Sequence, residues 1–391
     1  MGCKHYSRIK NYGYNTEKSG GDYIFAFFPF FPLIWKITNL PPIGILFLNY
    51  IFFSSSILIL LKLFSEPKSY ARNVILSLSL PSIIIFLIPY TEATFMLMVS
   101  IGIYGFIKNK YWIFFIGFLL ASLTRPSFTF LLLSIIGTEF FYLIKHKKIK
   151  IGIKNTLYRI SPLLIGTIIV SLIQYTQGSG DFFKFIKVQK YWNNILSIPH
   201  NLRDWSQESF GINIGVIFFI FIPLLILIFQ LLYKQLKENK KKPVLNYKSP
   251  KDYLLILSML YLIGNSLFII LFRGGSLHCL FRFTICSPFL YILLYIAFDY
   301  IRHISLNFRL FSICSLTLSS LLVLGLADYS TYWNFSDFGI FVFIASLFFW
   351  LFQDLKSCRI YKNGIILLLL VNLVWTTYLF NTYIINGWIF A

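Results

Sequence analysis

The chain has 391 residues, of which 57% are hydrophobic, 20% aromatic and only 13% charged, and its formal net charge is +21. With a mean hydropathy of +0.73, this composition excludes a soluble globular domain and describes a polytopic membrane protein. The surplus of Lys and Arg lies in short loops between apolar runs, so it reports topology and contact with anionic lipid or phosphate rather than nucleic-acid binding.

Residues 1–24 are polar and Gly-rich and read as part of a first outer loop. The next segment, 25–39, carries Pro29 and Pro32 and is too short for a secure span of about 20 residues. It is expected to lie at the interface or to re-enter. Apolar runs then predict spans near 43–64, 73–88, 91–107, 111–123, 127–144, 157–175, 213–233, 252–272, 283–300, 310–326, 338–352 and 364–381. The expected fold is therefore an all-α, polytopic transmembrane bundle of about ten to twelve spans, read as a single multi-pass membrane domain with short interfacial helices in its outer loops. Basic loops at 145–150, 234–251, 302–309 and 356–362 are expected on the cytoplasmic side, leaving the longer loop 176–212 and residues 273–282 outside.

Within this scheme the stretch 89–127 is distinctive. Pro89-Tyr90-Thr91-Glu92 opens one apolar run, Lys108-Asn109-Lys110 turns the chain, and Thr124-Arg125-Pro126 closes the next. An up-and-down pair returns Glu92 and Arg125 to one face, the outer one by the charge count. Ionisable groups at the edge of a bilayer core face a polar cavity or each other, so this is either a functional site or an ion pair pinning two helices.

The outer loop offers Asp181, Lys184, Lys187, Gln189, Lys190, Tyr191 and Trp192. Cations beside aromatic rings suit a phosphate next to a sugar or lipid, and equally an interfacial amphipathic helix touching headgroups. Further on, His278 and Arg282 share a helical face if a helix begins that early, and Arg282 could clamp a phosphate or simply snorkel. Cys3, Cys279, Cys286, Cys314 and Cys358 are widely spaced, without a CxxC pair, and suggest neither a metal site nor a disulfide framework. No Walker loop, GxGxxG, HExxH or Gly-x-Ser-x-Gly elbow occurs, and neither a bound metal nor a cofactor is expected.

In order along the chain, His5-Tyr6, Tyr12-Gly13-Tyr14, Ala26-Phe27-Phe28-Pro29 with Pro32, Pro89-Tyr90-Thr91-Glu92-Ala93 and Ala121-Ser122-Leu123-Thr124-Arg125-Pro126 resemble the PIG-V-type membrane mannosyltransferases of the GT-C group, the family of the second mannosyltransferase of GPI-anchor synthesis. Gly180-Asp181-Phe182 with Gln189 and Trp192, and Arg282-Phe283 with Pro288, are similar to its weaker later motifs. The resemblance implies a GT-C-like fold and transfer of a hexose, mannose in this family, from a polyprenyl-phosphate donor to a lipid-linked or surface glycan acceptor. The site would face away from the cytoplasm, in the inner membrane of a bacterium or the endoplasmic reticulum of a eukaryote, with membrane lipids as further partners.

Under this resemblance Arg125, Arg282 and Lys190 are the candidates for the donor phosphate. Tyr90, Tyr14, Asp181, Gln189, Trp192 and His278 are the candidates for substrate contact. The family's Trp-Asp pair, which follows a first transmembrane helix, would align with Met1 and Gly2. The expectation is thus that the coding frame continues upstream and that the chain as given is an impaired transferase, leaving Glu92 and Asp22 as candidate bases. A flippase or transporter of a lipid-linked saccharide, or an inactive structural membrane subunit, are the competing readings.

Overall fold

The computed structural model describes residues 2–19, 21–126, 128–146, 149–192, 196–197, 210–237, 249–272, 277, 279–301, 304–326, 335 and 338–385. In chain order its helices are α1 (Gly2–Tyr12), α2 (Thr16–Ser19), α3 (Phe30–Thr38), α4 (Pro42–Phe64), α5 (Tyr70–Leu78), α6 (Ile83–Leu87), α7 (Glu92–Ile107), α8 (Tyr111–Ser122), α9 (Phe128–His146) and α10 (Ile149–Gln174). They continue as α11 (Lys184–Lys187), α12 (Phe210–Val216), α13 (Ile222–Lys237), α14 (Pro250–Phe272), α15 (Leu280–Ile285), α16 (Pro288–Ile301), α17 (Leu306–Leu326), α18 (Phe338–Leu351) and α19 (Arg359–Ile384). No strand occurs among the described residues.

Six of the described helical stretches are long and apolar enough to cross a membrane: Pro42–Phe64, Gly152–Ser179, Gly211–Lys234, Pro250–Phe272, Leu306–Leu324 and Arg359–Ile384. This is the signature of a helical, multi-pass membrane protein. Shorter apolar helices, α7, α8 and α18 among them, accompany these. At about 1.5 Å per residue, the 16 residues of α7 fall short of the hydrocarbon thickness. The segment 25–39 forms a 3-10 turn, Asp22–Ala26, and the nine-residue α3.

The helices fall into two compact units. One comprises Met1–Ile59, Ile85–Ile195 and Leu245–Tyr253, and the other Leu60–Ile84, Leu196–Val244 and Leu254–Ala391.

In the first unit, α7 and α8 form a hairpin whose turn residue Asn109 is left-handed at φ 53. The Lys110 amide returns to the Gly105 carbonyl at 2.8 Å, closing the helix end. The two backbones almost touch: a Cβ on Gly117 would lie 2.4 Å from the Gly102 nitrogen. With no hydrophobic force between helices in lipid, such small-residue crossings supply the van der Waals contact that joins them. Helix α10 approaches α8 as closely at Gly166, against Ser122.

The second unit corrects one expectation. The span read near 73–88 is not continuous, because α5 ends at Leu78 and α6 starts at Ile83. Pro81 removes a backbone donor and blocks helical continuation. Around this break, carbonyls find donors on other helices of the unit. Asn372 Nδ2 donates to Leu78 at 2.8 Å, Ser346 Oγ to Ser79 at 2.9 Å and Trp375 Nε1 to Pro81 at 2.8 Å. Buried irregular backbone survives in an apolar unit where protein groups satisfy it in this way. The span read near 283–300 is likewise interrupted, between Ile285 and Pro288. Elsewhere in this unit Arg309 forms a two-pronged bridge to Asp354, at 2.8 and 2.6 Å.

Candidate functional site

Glu92 is the first residue of α7, and Arg125 lies just beyond the end of α8. The hairpin returns these ends to each other, so that Arg125 Nη1 stands 3.2 Å from Glu92 Oε1 with both side chains buried. The guanidinium also lies over the Phe95 ring, 5.6 Å from its centroid. Next to Glu92, Tyr90 is buried, and its carbonyl accepts a hydrogen bond from Asn49 Nδ2 at 3.3 Å.

The N-terminal segment packs on this end of the hairpin. The Phe30 amide donates to the Leu123 carbonyl at 3.1 Å, and Phe28 lies between Phe128 and Phe185 at 6.1 and 5.6 Å. Gly13, at φ 62, lets the chain turn closely against Gln177, where a Cβ would meet Oε1 at 2.7 Å. The Tyr14 amide donates to that same oxygen, and its hydroxyl donates to the Phe27 carbonyl at 2.6 Å. Burial pushes the Tyr14 phenol well above its usual range, which keeps it a donor. Tyr14 thus stands in a small core with Ile9, Ile24, Phe25, Ala26 and Val188, where it anchors the segment.

Beside this core Asp22 opens the 3-10 turn, and Lys184 Nζ donates to its Oδ2 at 2.5 Å. The Asp22 side chain is 46% exposed, against 0% for Glu92. Of the two candidate carboxylates, Asp22 is therefore the one open to solvent. Asp181 pairs with Lys187 at 2.5 Å. Lys187 and the Phe183 amide hold its carboxyl below the usual range. Gln189 donates to the Phe185 carbonyl at 3.1 Å, and Lys190 extends over the Tyr191 ring at 5.4 Å.

Glu92, Arg125, Asp22, Tyr90, Tyr14, Asp181, Gln189 and Lys190 all belong to the first unit, whereas Arg282 belongs to the second. There Arg282 sits on α15 over the Phe283 ring, at 5.9 Å. His278 and the Trp192 side chain lie outside the described residues. No group of three metal-ligating side chains is found among the described residues.

Sequence reasoning missed a second, partly buried pair in the first unit. Arg159 of α10 bridges to Glu139 of α9, and its guanidinium lies 4.1 Å over the Tyr253 ring and 5.1 Å over Phe106. A carboxylate inside the apolar run 127–144 was the signal, since intramembrane charges seek partners. Sequence reasoning likewise gave no hint that Lys184 would hold Asp22. Compared with protein-family models, curated proteins and solved structures, the chain matches none.

Proposed function

We propose that the chain is a membrane glycosyltransferase that moves a hexose, mannose by the resemblance of its motifs, from a polyprenyl-phosphate donor to a hydroxyl of a lipid-linked or surface acceptor. The proposed site is on the non-cytoplasmic face. What supports the reading is the grouping in one unit of a buried arginine, fixed by Glu92 at a helix end, and a solvent-open carboxylate, Asp22, on the segment packed against that end. In this reaction the acceptor oxygen bonds to the anomeric carbon while the bond from that carbon to the phosphate oxygen breaks. The electron pair leaves with the phosphate, and the hydroxyl proton passes to a carboxylate. Asp22 suits the last task better than Glu92, which is fully buried against Arg125 and serves to orient it. Arg125 answers the charge that grows on the leaving phosphate, and its planar fork matches phosphate oxygens.

The test is transfer by the full chain in lipid nanodiscs, using a polyprenyl-phosphate hexose and mass detection of the product. Asp22→Asn should lower the rate by about 10²–10⁴-fold. Arg125→Lys should impair transfer strongly while leaving expression near normal. The sequence predicts an impaired enzyme, so slow transfer above a protein-free background supports the reading, and none above that background would sink it.

The interrupted helix at Leu78–Ile83 favours a second reading, movement of a lipid-linked saccharide, because transporters build their sites on broken helices. Against it, the carbonyls of Leu78, Ser79 and Pro81 already accept side-chain donors, which suits a structural break. Donor crossing vesicle membranes without transfer would decide for this second reading.

A further inference from the structure

We infer that the segment Phe183–Tyr191 is a membrane-docking surface for anionic phospholipid, lying along the interface where the preceding span ends. The span Gly152–Ser179 stops just before it, so the segment emerges at headgroup level.

Its side chains sort into two faces. Phe185 and Val188 are buried at 4% and 1% exposure, Phe185 against Phe28 and Val188 in the core around Tyr14. Phe183, Ile186 and Tyr191 point away, at 53%, 57% and 57% exposure. Three large apolar side chains left outside so short a stretch are costly in water and are accounted for by a bilayer's upper acyl region.

The same outward face carries Lys187, whose side chain is 69% exposed, and Lys190 over Tyr191. Ammonium groups level with aromatic rings are the arrangement that meets phosphate above acyl chains. Among Asp22, Asp181, Lys184, Lys187 and Lys190, the cations outnumber the carboxylates by one. Asp22 and Asp181 restrain Lys184 and Lys187 at 2.5 Å each, which holds the cations in a fixed array. Charge therefore selects an anionic leaflet over a zwitterionic one. This surface does not depend on the transferase reading, since it needs only a membrane and the observed faces.

The experiment uses the full chain in nanodiscs of phosphatidylcholine with or without phosphatidylglycerol. A benzoylphenylalanine photo-crosslinker at position 186 should form an adduct with lipid acyl chains, while one at buried position 188 should react within the protein. Native mass spectrometry should then show preferential retention of phosphatidylglycerol. Lys187→Gln with Lys190→Gln should weaken that retention by about fivefold per lysine, with only a small fall in the melting temperature, because the Lys187–Asp181 pair it breaks is exposed. No lipid adduct at position 186, or unchanged lipid preference in the double variant, would overturn the proposal. Retention of a polyprenyl phosphate but not of phosphatidylglycerol would also overturn it, by showing that the surface is a donor site.

Discussion

Two ion pairs in the first unit, one buried and one partly buried, invite comparison, because they share chemistry and differ in setting. Glu92–Arg125 joins helix termini at the end of the α7–α8 hairpin, beside the packed N-terminal segment. Glu139–Arg159 joins the interiors of α9 and α10, with aromatic rings of Tyr253 and Phe106 against the guanidinium. The terminal pair lies where the N-terminal segment packs on the hairpin end, although its own side chains are only 8% and 0% exposed. The mid-helix pair is flanked by the Tyr253 and Phe106 rings. The difference teaches that the same ion pair serves two structural settings, one joining helix ends to a packed loop segment and the other joining helix interiors beneath aromatic rings.

The largest expected effect breaks the interior pair. Arg159→Ala leaves the Glu139 carboxylate, 2% exposed, without its guanidinium, and should cost about 3–5 kcal/mol. Thermal unfolding in detergent and membrane yield would read this loss. Replacing both residues, as Glu139→Leu with Arg159→Met, should recover most of it, since an apolar pair of similar volume carries no desolvation penalty. If the double variant is as unstable as the single one, the pair does more than satisfy itself.

Next in size is the crossing that sets the terminal pair. At Gly117 an added methyl would meet the Gly102 nitrogen at 2.4 Å and its Cα at 2.7 Å, both backbone atoms that cannot yield. Gly117→Ala should therefore cost about 1–3 kcal/mol and separate Glu92 from Arg125, while leaving Glu139–Arg159 in place. Gly264→Ala is the control, with nothing within 4 Å of the added atom, and should be neutral or slightly stabilising. Equal losses in both variants would mean that the close approach does not hold the hairpin.

The contrast between the pairs also explains what could be read beforehand. Glu92 and Arg125 were legible because each flanks an apolar run and a short basic turn joins the runs, so topology alone brings them together. Arg159 was not, because a lone arginine close to the basic cluster at 145–150 looks like a snorkelling charge. The contact of Lys184 with Asp22 spans 162 residues, and no local rule connects them. Helicity and the apolar runs followed from hydropathy. The interruption after Leu78 was signalled only by Pro81, whose effect depended on donors from Ser346, Asn372 and Trp375 far along the chain.

Lysine substitutions should sharpen the comparison at lower amplitude. Arg159→Lys keeps the charge but loses a planar group stacked on Tyr253 at 4.1 Å, which should cost about 1–2 kcal/mol. Arg125→Lys, with its more distant Phe95 ring at 5.6 Å, should cost about 0.5 kcal/mol and act mainly on transfer. A larger stability loss at position 125 than at 159 would reverse the assignment of structural and functional pairs.

The most local effect is a pH dependence confined to the terminal pair's end of the unit. His5 stacks on Phe27 at 4.7 Å and meets the edge of Tyr23 at 5.1 Å, and its Nδ1 is buried without a hydrogen-bond partner. Burial, reinforced by the nearby Arg8, lowers its pKa from 6.5 to about 4. Between these two values the unfolded chain binds more protons at this residue than the folded one, so stability rises with pH across the interval. The contribution is complete above about pH 6.5, shrinks as the pH falls, and is gone below about pH 4. Hydrogen exchange at the amides of residues 5–31 should accelerate over that window, whereas the amides around Glu139 and Arg159 should keep their protection. His5→Gln should remove the His5 share of the slope, because an amide of similar size does not titrate there. Persistence of the full acid-induced opening in that variant would overturn the assignment of the slope to His5.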